Sequence, residues 1–560
     1  MSNEKKYSRK EFLKFIGKAG IAAFVVPPFL ASCGNNSKPI NTDNLPDEYL
    51  EKLKSLRIIP LNPTNKDDLV LTKGLNYHTI LKWGDQISDQ DTFGFNNDYT
   101  CFIPLDESNP KDGLLWVNHE YVNPLFVSDF DFESHGNPMD HRTQEQVEKE
   151  MYNVGGSIVR IKEVDGKWKP VKNDPHNRRI TAKTPIKLNW DDEIKGTKEV
   201  MGTLANCAGG ITPWNTFITC EENYDDAYGE TTYDSENKPS HIKSELGWES
   251  FFNNPPEHYG WVVEIDPKTG NCQKHIALGR FSHECCTIYE LEDKRVVAYT
   301  GDDSKDEHLY KFVSSKAGSL KEGTLFVADT INGKWLALDW ENQKVLKDNF
   351  KNQTEVLIRA REAAKLLGAT ELNRPEDIEI DPVTGHVLVS LTNNKPKGDY
   401  HGSILKIEED NGKFDSLTFK ASVYKAGGEE NGFSCPDNLA FDHSGNLWMT
   451  TDMSGSAMNN ADKPYMTFKN NGLFVIPRYG DDAGKIIQVA SAPIDAELTG
   501  PWFSPDGKTL FLSVQHPGGE TKDVNNPTSK WPFDEDGIPK PSVVAIQGDL
   551  IEKMNMLSKM

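Results

Sequence analysis

A short hairpin recurs along this chain at a spacing of about sixty residues, and few architectures accommodate that spacing. The clearest copy is residues 378–390, where Ile378-Glu379-Ile380 runs into Asp381-Pro382-Val383-Thr384-Gly385 and leaves through His386-Val387-Leu388-Val389-Ser390. Residues 439–450 repeat it around Asp442-His443-Ser444-Gly445, and residues 503–512 around Ser504-Pro505-Asp506-Gly507. Residues 262–270 end on Asp266-Pro267-Lys268-Thr269-Gly270, and residues 158–168 carry a weaker copy at Asp165-Gly166. In each, a β-rich run meets a turn in which Gly supplies positive φ and Asp bonds the turn backbone. Gly385, Gly445 and Gly507 lie 60 and 62 residues apart, and Gly270 precedes Gly385 by 115, roughly two such units.

A small antiparallel sheet repeated at that interval is the signature of a β-propeller. Two β-sandwiches are the alternative, and the regular spacing favours radial repetition. The expectation is an all-β fold: one six-bladed propeller over residues 56–550, with long loops and short helical insertions. Residues 144–152 and 355–367 have helical periodicity, the second followed by Gly368.

The first thirty-three residues read as an address. Lys5, Lys6, Arg9, Lys10 and Lys14 precede an apolar run over 21–30 that is too short to span a membrane and is broken by Pro27-Pro28. Ser8-Arg9-Lys10-Glu11-Phe12-Leu13-Lys14 resembles a twin-arginine export signal with Lys in the second Arg position; general secretory export is the alternative. Leu30-Ala31-Ser32-Cys33 resembles a bacterial lipobox, which makes 1–32 the signal, Cys33 the lipidated residue and 33–55 a tether. The expectation is an exported lipoprotein, periplasmic or on the cell surface, touching membrane only through its anchor.

Charge narrows the partners. The chain has 62 Lys/Arg against 85 Asp/Glu; without residues 1–32 the balance is 56 against 83, or −27. A body that acidic is a poor binder of nucleic acid and is not drawn to anionic lipid. It handles an anion only where bound cations reverse the local sign. Seven cysteines follow Cys33, at 101, 207, 220, 272, 285, 286 and 435. The odd number leaves at least one thiol outside any intramolecular bridge, either as a ligand or as a buried inert group.

No GxSxG elbow, P-loop, HExxH or dinucleotide fingerprint is present, and 14 His do not favour a His-built zinc site. Carboxylates instead gather beside strand ends. They occur in Asn118-His119-Glu120-Tyr121, in Thr219-Cys220-Glu221-Glu222-Asn223 after Asn206-Cys207-Ala208-Gly209-Gly210, and in Ser282-His283-Glu284-Cys285 with Gly301-Asp302-Asp303. They recur in Arg374-Pro375-Glu376-Asp377, in Cys435-Pro436-Asp437-Asn438, and at Glu497 with Gln515-His516-Pro517-Gly518. A propeller carries equivalent blade positions to one end of its channel, so Glu120, Glu222, Glu284, Glu376, Asp437 and Glu497 are candidates to converge. So many carboxylates in one funnel require cations. Oxygen-rich cages suit Ca²⁺, a thiolate such as Cys207 adds a transition metal, and Arg374 is a fixed cation able to grip an anion in a bidentate fashion.

These same motifs resemble the PhoX family of alkaline phosphatases, in the family's order, from about residue 70 to 545. The Cys207-Ala208-Gly209-Gly210 and Arg374-Pro375-Glu376-Asp377 elements are the specific ones, and Thr212-Pro213-Trp214 and Thr499-Gly500-Pro501 accompany them. The resemblance implies a monomeric phosphomonoesterase acting on small phosphate esters, built on a β-propeller with a pair of Fe³⁺ ions and several Ca²⁺. It implies that Cys207 binds iron and that Glu222 and Glu284 bridge metals, with Glu221 as the alternative to Glu222. Glu376 matches a calcium-binding carboxylate, and Arg374 the phosphate-contacting arginine; both are candidate catalytic residues. Glu120 and Asp437 match by motif position, and Asn215 stands where the family's run has Gly.

Three other readings compete: a phosphodiesterase, a calcium-dependent lactonase-like propeller indifferent to Cys207, and a non-enzymatic, surface-anchored calcium-binding propeller. The segment 129–133, Asp129-Phe130-Asp131-Phe132-Glu133, is followed by Ser134 where a calcium loop needs Gly, and reads as a solvated acidic loop.

Overall fold

The turn residues do the local work that their chemistry predicts. Asp266 accepts from the backbone N–H of Lys268 and Thr269 at 2.8 and 2.9 Å, and Asp381 from Val383 at 2.9 Å. Asp442 accepts from Ser444 and Asn446 at 3.0 and 2.9 Å and from the Trp448 indole at 3.0 Å. Each turn is closed by a residue with positive φ, among them Gly385 (70°), Gly445 (79°) and Gly507 (65°). The strands on either side pair antiparallel.

In the computed structural model, which describes residues 57–132 and 141–555, these hairpins lie in five of six sheets arranged radially as a propeller. The six innermost strands are Asn97–Pro104, Asn206–Ile211, Thr287–Glu290, Pro375–Ile380, Pro436–Phe441 and Glu497–Phe503. Each pairs with a second strand that runs back toward the same end of the channel: Asp112–His119, Phe217–Glu221, Val296–Gly301, Val387–Leu391, Leu447–Thr451 and Thr509–Gln515. The proposed signal, Cys33 and the tether lie outside the described residues, as does part of the acidic segment 129–133. Among the described residues no helix is long and apolar enough to cross a membrane.

Three of the five hairpins read from sequence are equivalent, at Gly385, Gly445 and Gly507, where they join first and second strands. The other two are not. Gly270 joins the third and fourth strands of the second blade, Val262–Ile265 and Cys272–His275, and Gly166 does the same in the first. The 115-residue interval therefore does not connect corresponding points. In the first three blades the inner hairpin turns through other residues, such as Thr212-Pro213-Trp214-Asn215. There Asn215 has φ 62° and donates its N–H to Thr212 at 3.0 Å. Asn enters the left-handed region more readily than most residues, which is how it serves at a turn that would also suit Gly.

Closure comes from the start of the described chain. Asn76–Lys82 pairs with Ser542–Gln547 and forms the outer strand of the sixth blade, so one sheet ties together segments from both ends of the sequence. Large side chains seal the blade interfaces: Trp116 stacks on Phe217 at 5.8 Å, Phe102 meets Phe511 at 5.7 Å, and Trp448 meets Phe503 edge-on at 5.4 Å. Burying one such side chain stabilises by about 1.5–3 kcal/mol.

The helical insertion 144–152 is present as Gln144–Asn153, with Thr143 and Gln146 forming a reciprocal cap. The periodicity over 355–367 is divided between two helices, Gln353–Ile358 and Ala360–Leu367. Between them Arg359 leaves helical geometry (φ −109°, ψ 41°). Its guanidinium lies over the Tyr233 ring at 4.0 Å and bonds Glu355, Glu362 and Asn237, contacts that outweigh one uninterrupted helix.

Candidate metal centre

The funnel is built by one local device repeated around the ring. At the start of each inner strand, three residue steps on that strand span two on its partner. The pairs are Asn97↔His119 then Thr100↔Val117, Asn206↔Glu221 then Gly209↔Thr219, and Pro375↔Leu391 then Ile378↔Val389. Pro436↔Thr451 then Leu439↔Met449, and Thr499↔Ser513 then Trp502↔Phe511, follow the same count. The third blade has the equivalent extra residue between the bridge His283↔Asp302 and Thr287↔Tyr299. An extra residue of this kind bends the strand and re-aims a side chain. The first residue past each anchor is Asp98, Cys207, Glu284, Glu376, Asp437 and Gly500. Five of the six are ligand types.

Four blades add a second element. The residue before the anchor has positive φ although it is not glycine: Asn96 (39°), Ala205 (53°), Arg374 (58°) and Cys435 (54°). Such conformations cost about 1–3 kcal/mol each and persist where the surroundings over-determine them. The sixth blade departs from the pattern. A Cβ on Gly500 (φ 56°) would stand 2.6 Å from the Thr100 backbone nitrogen, so the bulge residue there presses against the first blade and carries no side chain.

A second set of side chains arrives from the far ends of the second strands, at Glu120, Glu222, Asp303, Thr392, Asp452 and Gln515. The two sets meet as three donor triplets, each with ligand atoms within 4.8 Å of one another: Asp98–Glu120–Cys207, Cys207–Glu222–Glu284 and Glu284–Asp303–Glu376. Cys207 belongs to the first two and Glu284 to the last two, so the triplets form a continuous chain across four blades. All of these residues are buried.

Neighbouring amides and hydroxyls hold the donors in place. The Gln515 side-chain amide donates to Asp98 Oδ2 at 3.1 Å and to Glu120 Oε2 at 2.6 Å. Asn438 donates to Glu284 Oε1 at 3.5 Å and to Asp437 Oδ1 at 3.0 Å, while its own carbonyl accepts from the Gly500 N–H at 2.7 Å. Thr392 donates its hydroxyl to Glu376 Oε1 at 2.7 Å. Asn118 reaches behind Cys207 to donate to its backbone carbonyl at 2.5 Å.

Arg374 faces this acidic set. Its guanidinium is bidentate on Asp303 at 2.8 and 2.7 Å, and contacts Glu376 Oε1 at 2.8 Å and Asp452 Oδ2 at 3.0 Å. Burial would raise Asp452, but Arg374 holds it below the usual range. Most of the others go the opposite way. Burial first and neighbouring carboxylates second push Glu120, Glu222, Glu284 and Asp437 well above the ordinary carboxylate range. Burial lifts Asp98 to about 7 and pushes the Cys207 thiol up. Glu284 Oε2 is buried with no hydrogen-bond partner. Crowded acids, a thiol among them and a bare carboxylate oxygen fit bound cations, which offset both the repulsion and the lost hydration.

The sequence candidates fall into two groups. Glu120, Cys207, Glu222, Glu284 and Glu376 come together in the triplets. Asp437 lies beside them at its bulge position but outside any triplet. Glu497 pairs with His516 at 3.3 Å, two residues before its blade's anchor. Glu221 is turned away from the funnel: it pairs with buried Lys274 at 2.6 Å and accepts the Trp261 N–H at 3.1 Å. Strand alternation sends it to the opposite face from its neighbour. His119 and His283 are buried scaffold residues, bonded to Phe95 and Ser157 and to Thr300 and Gly279, and desolvation lowers both.

Asp98, Asp303 and Asp452 went unselected in the sequence. Asp98 follows Asn96-Asn97 just as Cys207 follows Ala205-Asn206 and Glu376 follows Arg374-Pro375, two residues past a left-handed position. Asp303 and Asp452 each directly follow a second strand or its first flanking residue.

Comparison with known proteins bears on this arrangement. Residues 56–518 match the family profile described as alkaline phosphatase PhoX. The solved structure of Pseudomonas fluorescens PhoX in complex with vanadate, a transition state analogue, is 30% identical to this chain. The alignment covers 88% of this chain and 98% of that one, with a TM-score of 0.78. A structure of unknown function from Dyadobacter fermentans aligns over 85% of this chain and 99% of that one, at 10% identity and a TM-score of 0.40. A search of curated proteins finds no match.

Proposed function

The chain belongs to the PhoX family of alkaline phosphatases, and from that premise we propose that it hydrolyses small phosphate monoesters at the acidic funnel, using metal ions held by the three triplets. The sharing of Cys207 and Glu284 between consecutive triplets carries this reading. Isolated structural sites would have no need of common donors, whereas adjacent cations acting on one phosphoryl group do.

Donor chemistry divides the ions. A thiolate common to two sites suits a transition metal, and we assign the ferric pair to Asp98, Glu120, Cys207, Glu222 and Glu284. The all-oxygen triplet Glu284–Asp303–Glu376, with Asp437, Asp452 and Glu497 nearby, suits calcium. When bound, these ions supply the positive field that neutralises a phosphoryl group and acidifies water. Without them a body of net charge −27 would repel a dianionic ester.

The chain's own residues orient the substrate. Arg374 presents a planar fork whose present partner, Asp303, has the spacing of two phosphoryl oxygens. Glu376 restrains the Nη2 corner of that fork and is itself held by Thr392. Vanadate binding is a property of the Pseudomonas protein, and we carry a phosphoryl site over to this chain on the strength of the family and of Arg374. Residues 1–32 we read as an export signal and Cys33 as a lipid attachment, which places the activity outside the cytoplasm.

The test is hydrolysis of p-nitrophenyl phosphate at alkaline pH by the soluble form beginning after Cys33. Activity removed by a calcium chelator and restored by Ca²⁺ supports the reading. Folded, metal-loaded protein without turnover would overturn it.

A further inference from the structure

Tyr121 directly follows Glu120, and His516 directly follows Gln515. Glu120 and Gln515 are bonded to each other at 2.6 Å at the first donor triplet, so the residues that follow them emerge together at its edge. The Tyr121 and His516 rings lie 6.0 Å apart with 40° between their planes. Glu120 is 7% exposed, whereas Tyr121 is 37% exposed. The chain thus steps from a buried donor to a partly exposed tyrosine in one residue.

His516 is braced in this position. Its φ is 36°, its Nε2 lies 3.3 Å from Glu497 Oε1, and its backbone carbonyl accepts from the Gly519 N–H at 2.9 Å. A ring that is held from behind gives Tyr121 a fixed neighbour. Tyr121 is thus tied to the funnel on both sides, by the donor Glu120 that precedes it and by the His516 ring that Glu497 holds, and it does not stand on a remote surface. Scattered exposed aromatics need no explanation; one opposed to a second ring at the rim of a site that receives a substrate does.

We infer that Tyr121, backed by His516, forms a leaving-group platform that favours esters of planar aromatic alcohols and of nucleosides over esters of small aliphatic alcohols. This rests on the phosphatase reading above. A phosphoryl group drawn to the triplets and Arg374 leaves its ester substituent pointing out of the funnel, past the rim. A flat group stacks on an aromatic face and an aliphatic one does not, a difference of about 0.5–1.5 kcal/mol at a partly open site, or two- to tenfold in affinity.

The experiment compares kcat/KM for a nucleoside 5′-monophosphate and for glycerol 2-phosphate in the metal-loaded enzyme and its Tyr121→Ala and Tyr121→Phe variants. The nucleotide-to-glycerol ratio is expected to fall about two- to tenfold in Tyr121→Ala, chiefly through KM, and to persist in Tyr121→Phe, which keeps the ring. A Tyr121→Ala ratio equal to that of the parent enzyme would overturn the platform. So would a ratio lost equally in Tyr121→Phe, which would assign the effect to the hydroxyl. A parent enzyme inactive on both esters would instead count against the phosphatase reading.

Discussion

Gln515 and Glu120 are 395 residues apart in sequence and 2.6 Å apart in space, joined by an amide N–H that donates to a buried carboxylate. The second hydrogen of the same amide goes to Asp98 at 3.1 Å. One side chain from the sixth blade therefore sets the angle of two donors from the first. Both hydrogens are committed to acceptors, so the amide favours the ionised form of each acid.

Removing that amide should loosen the first triplet without unfolding the blade. Gln515→Leu keeps the volume and deletes both hydrogen bonds; partners of this kind are worth about 10–100-fold in metal affinity or activity. The expected result is a loss of iron per chain, measured by elemental analysis, with calcium retained. Unchanged iron content would place Gln515 outside the metal-holding set.

Cys207 belongs to two triplets, so its loss should be felt at both. Cys207→Ser substitutes a harder and far less acidic donor for a thiolate. Turnover of p-nitrophenyl phosphate should fall by at least about 100-fold, the cost expected when a catalytic electrostatic partner is removed, and iron should leave before calcium. A Cys207→Ser enzyme with full activity and full iron would remove the thiolate from the site and revive the lactonase-like reading.

Arg374 should behave differently. Arg374→Lys keeps one charge among Asp303, Glu376 and Asp452 but cannot reproduce the fork. Metal content should stay near that of the parent enzyme, while kcat/KM falls and inhibition by inorganic phosphate weakens together, each by about tenfold or more. A variant whose phosphate inhibition is unaltered would confine Arg374 to balancing the carboxylates.

Closure of the ring by Asn76–Lys82 makes a quantitative claim about stability. Leu81 is fully buried and stands opposite Val543 in the sixth blade. Leu81→Ala should cost about 2–5 kcal/mol, the range for a large-to-small change in a packed core, read from urea unfolding. A cost below about 1 kcal/mol would mean that the outer strand is an ornament and that the ring closes without it.

Much of this architecture was legible because it rests on local chemistry. Asp–Gly turns at sixty-residue spacing are specified by a few residues each, and three of them mark corresponding hairpins. The two that do not, at Gly166 and Gly270, show the limit: an outer hairpin uses the same turn residues as an inner one, since both obey the same φ requirement. At the funnel the strand-end carboxylates were readable as a set, but the choice of Glu222 over Glu221 depends on strand phase, which a double carboxylate does not reveal. Asp98 was hidden for a related reason. Its motif, Asn96-Asn97-Asp98, shares only the anchor Asn with Ala205-Asn206-Cys207 and no residue type with Arg374-Pro375-Glu376, and only the backbone shows that all three are a left-handed residue, an anchor and a bulged donor.

The last consequence concerns the protein without its metals. Asp98, lifted to about 7, and Glu120, Glu222, Glu284 and Asp437, pushed well above the ordinary carboxylate range, bind protons more tightly in the folded metal-free chain than in the unfolded one. Between the unfolded carboxylate range near pH 4 and the raised folded values, the folded state carries the extra protons. Stability must then fall as pH rises through that window. A chelated sample should accordingly melt at a lower temperature at pH 8 than at pH 5.5. Added Ca²⁺ should raise the melting temperature strongly at pH 8 and less at pH 5.5, where protons already neutralise the cluster. Calorimetry on the chelated protein at the two pH values decides it: equal melting temperatures would mean that the carboxylates are not crowded in solution as they are in the structure, and that the shared-donor arrangement forms only around bound ions.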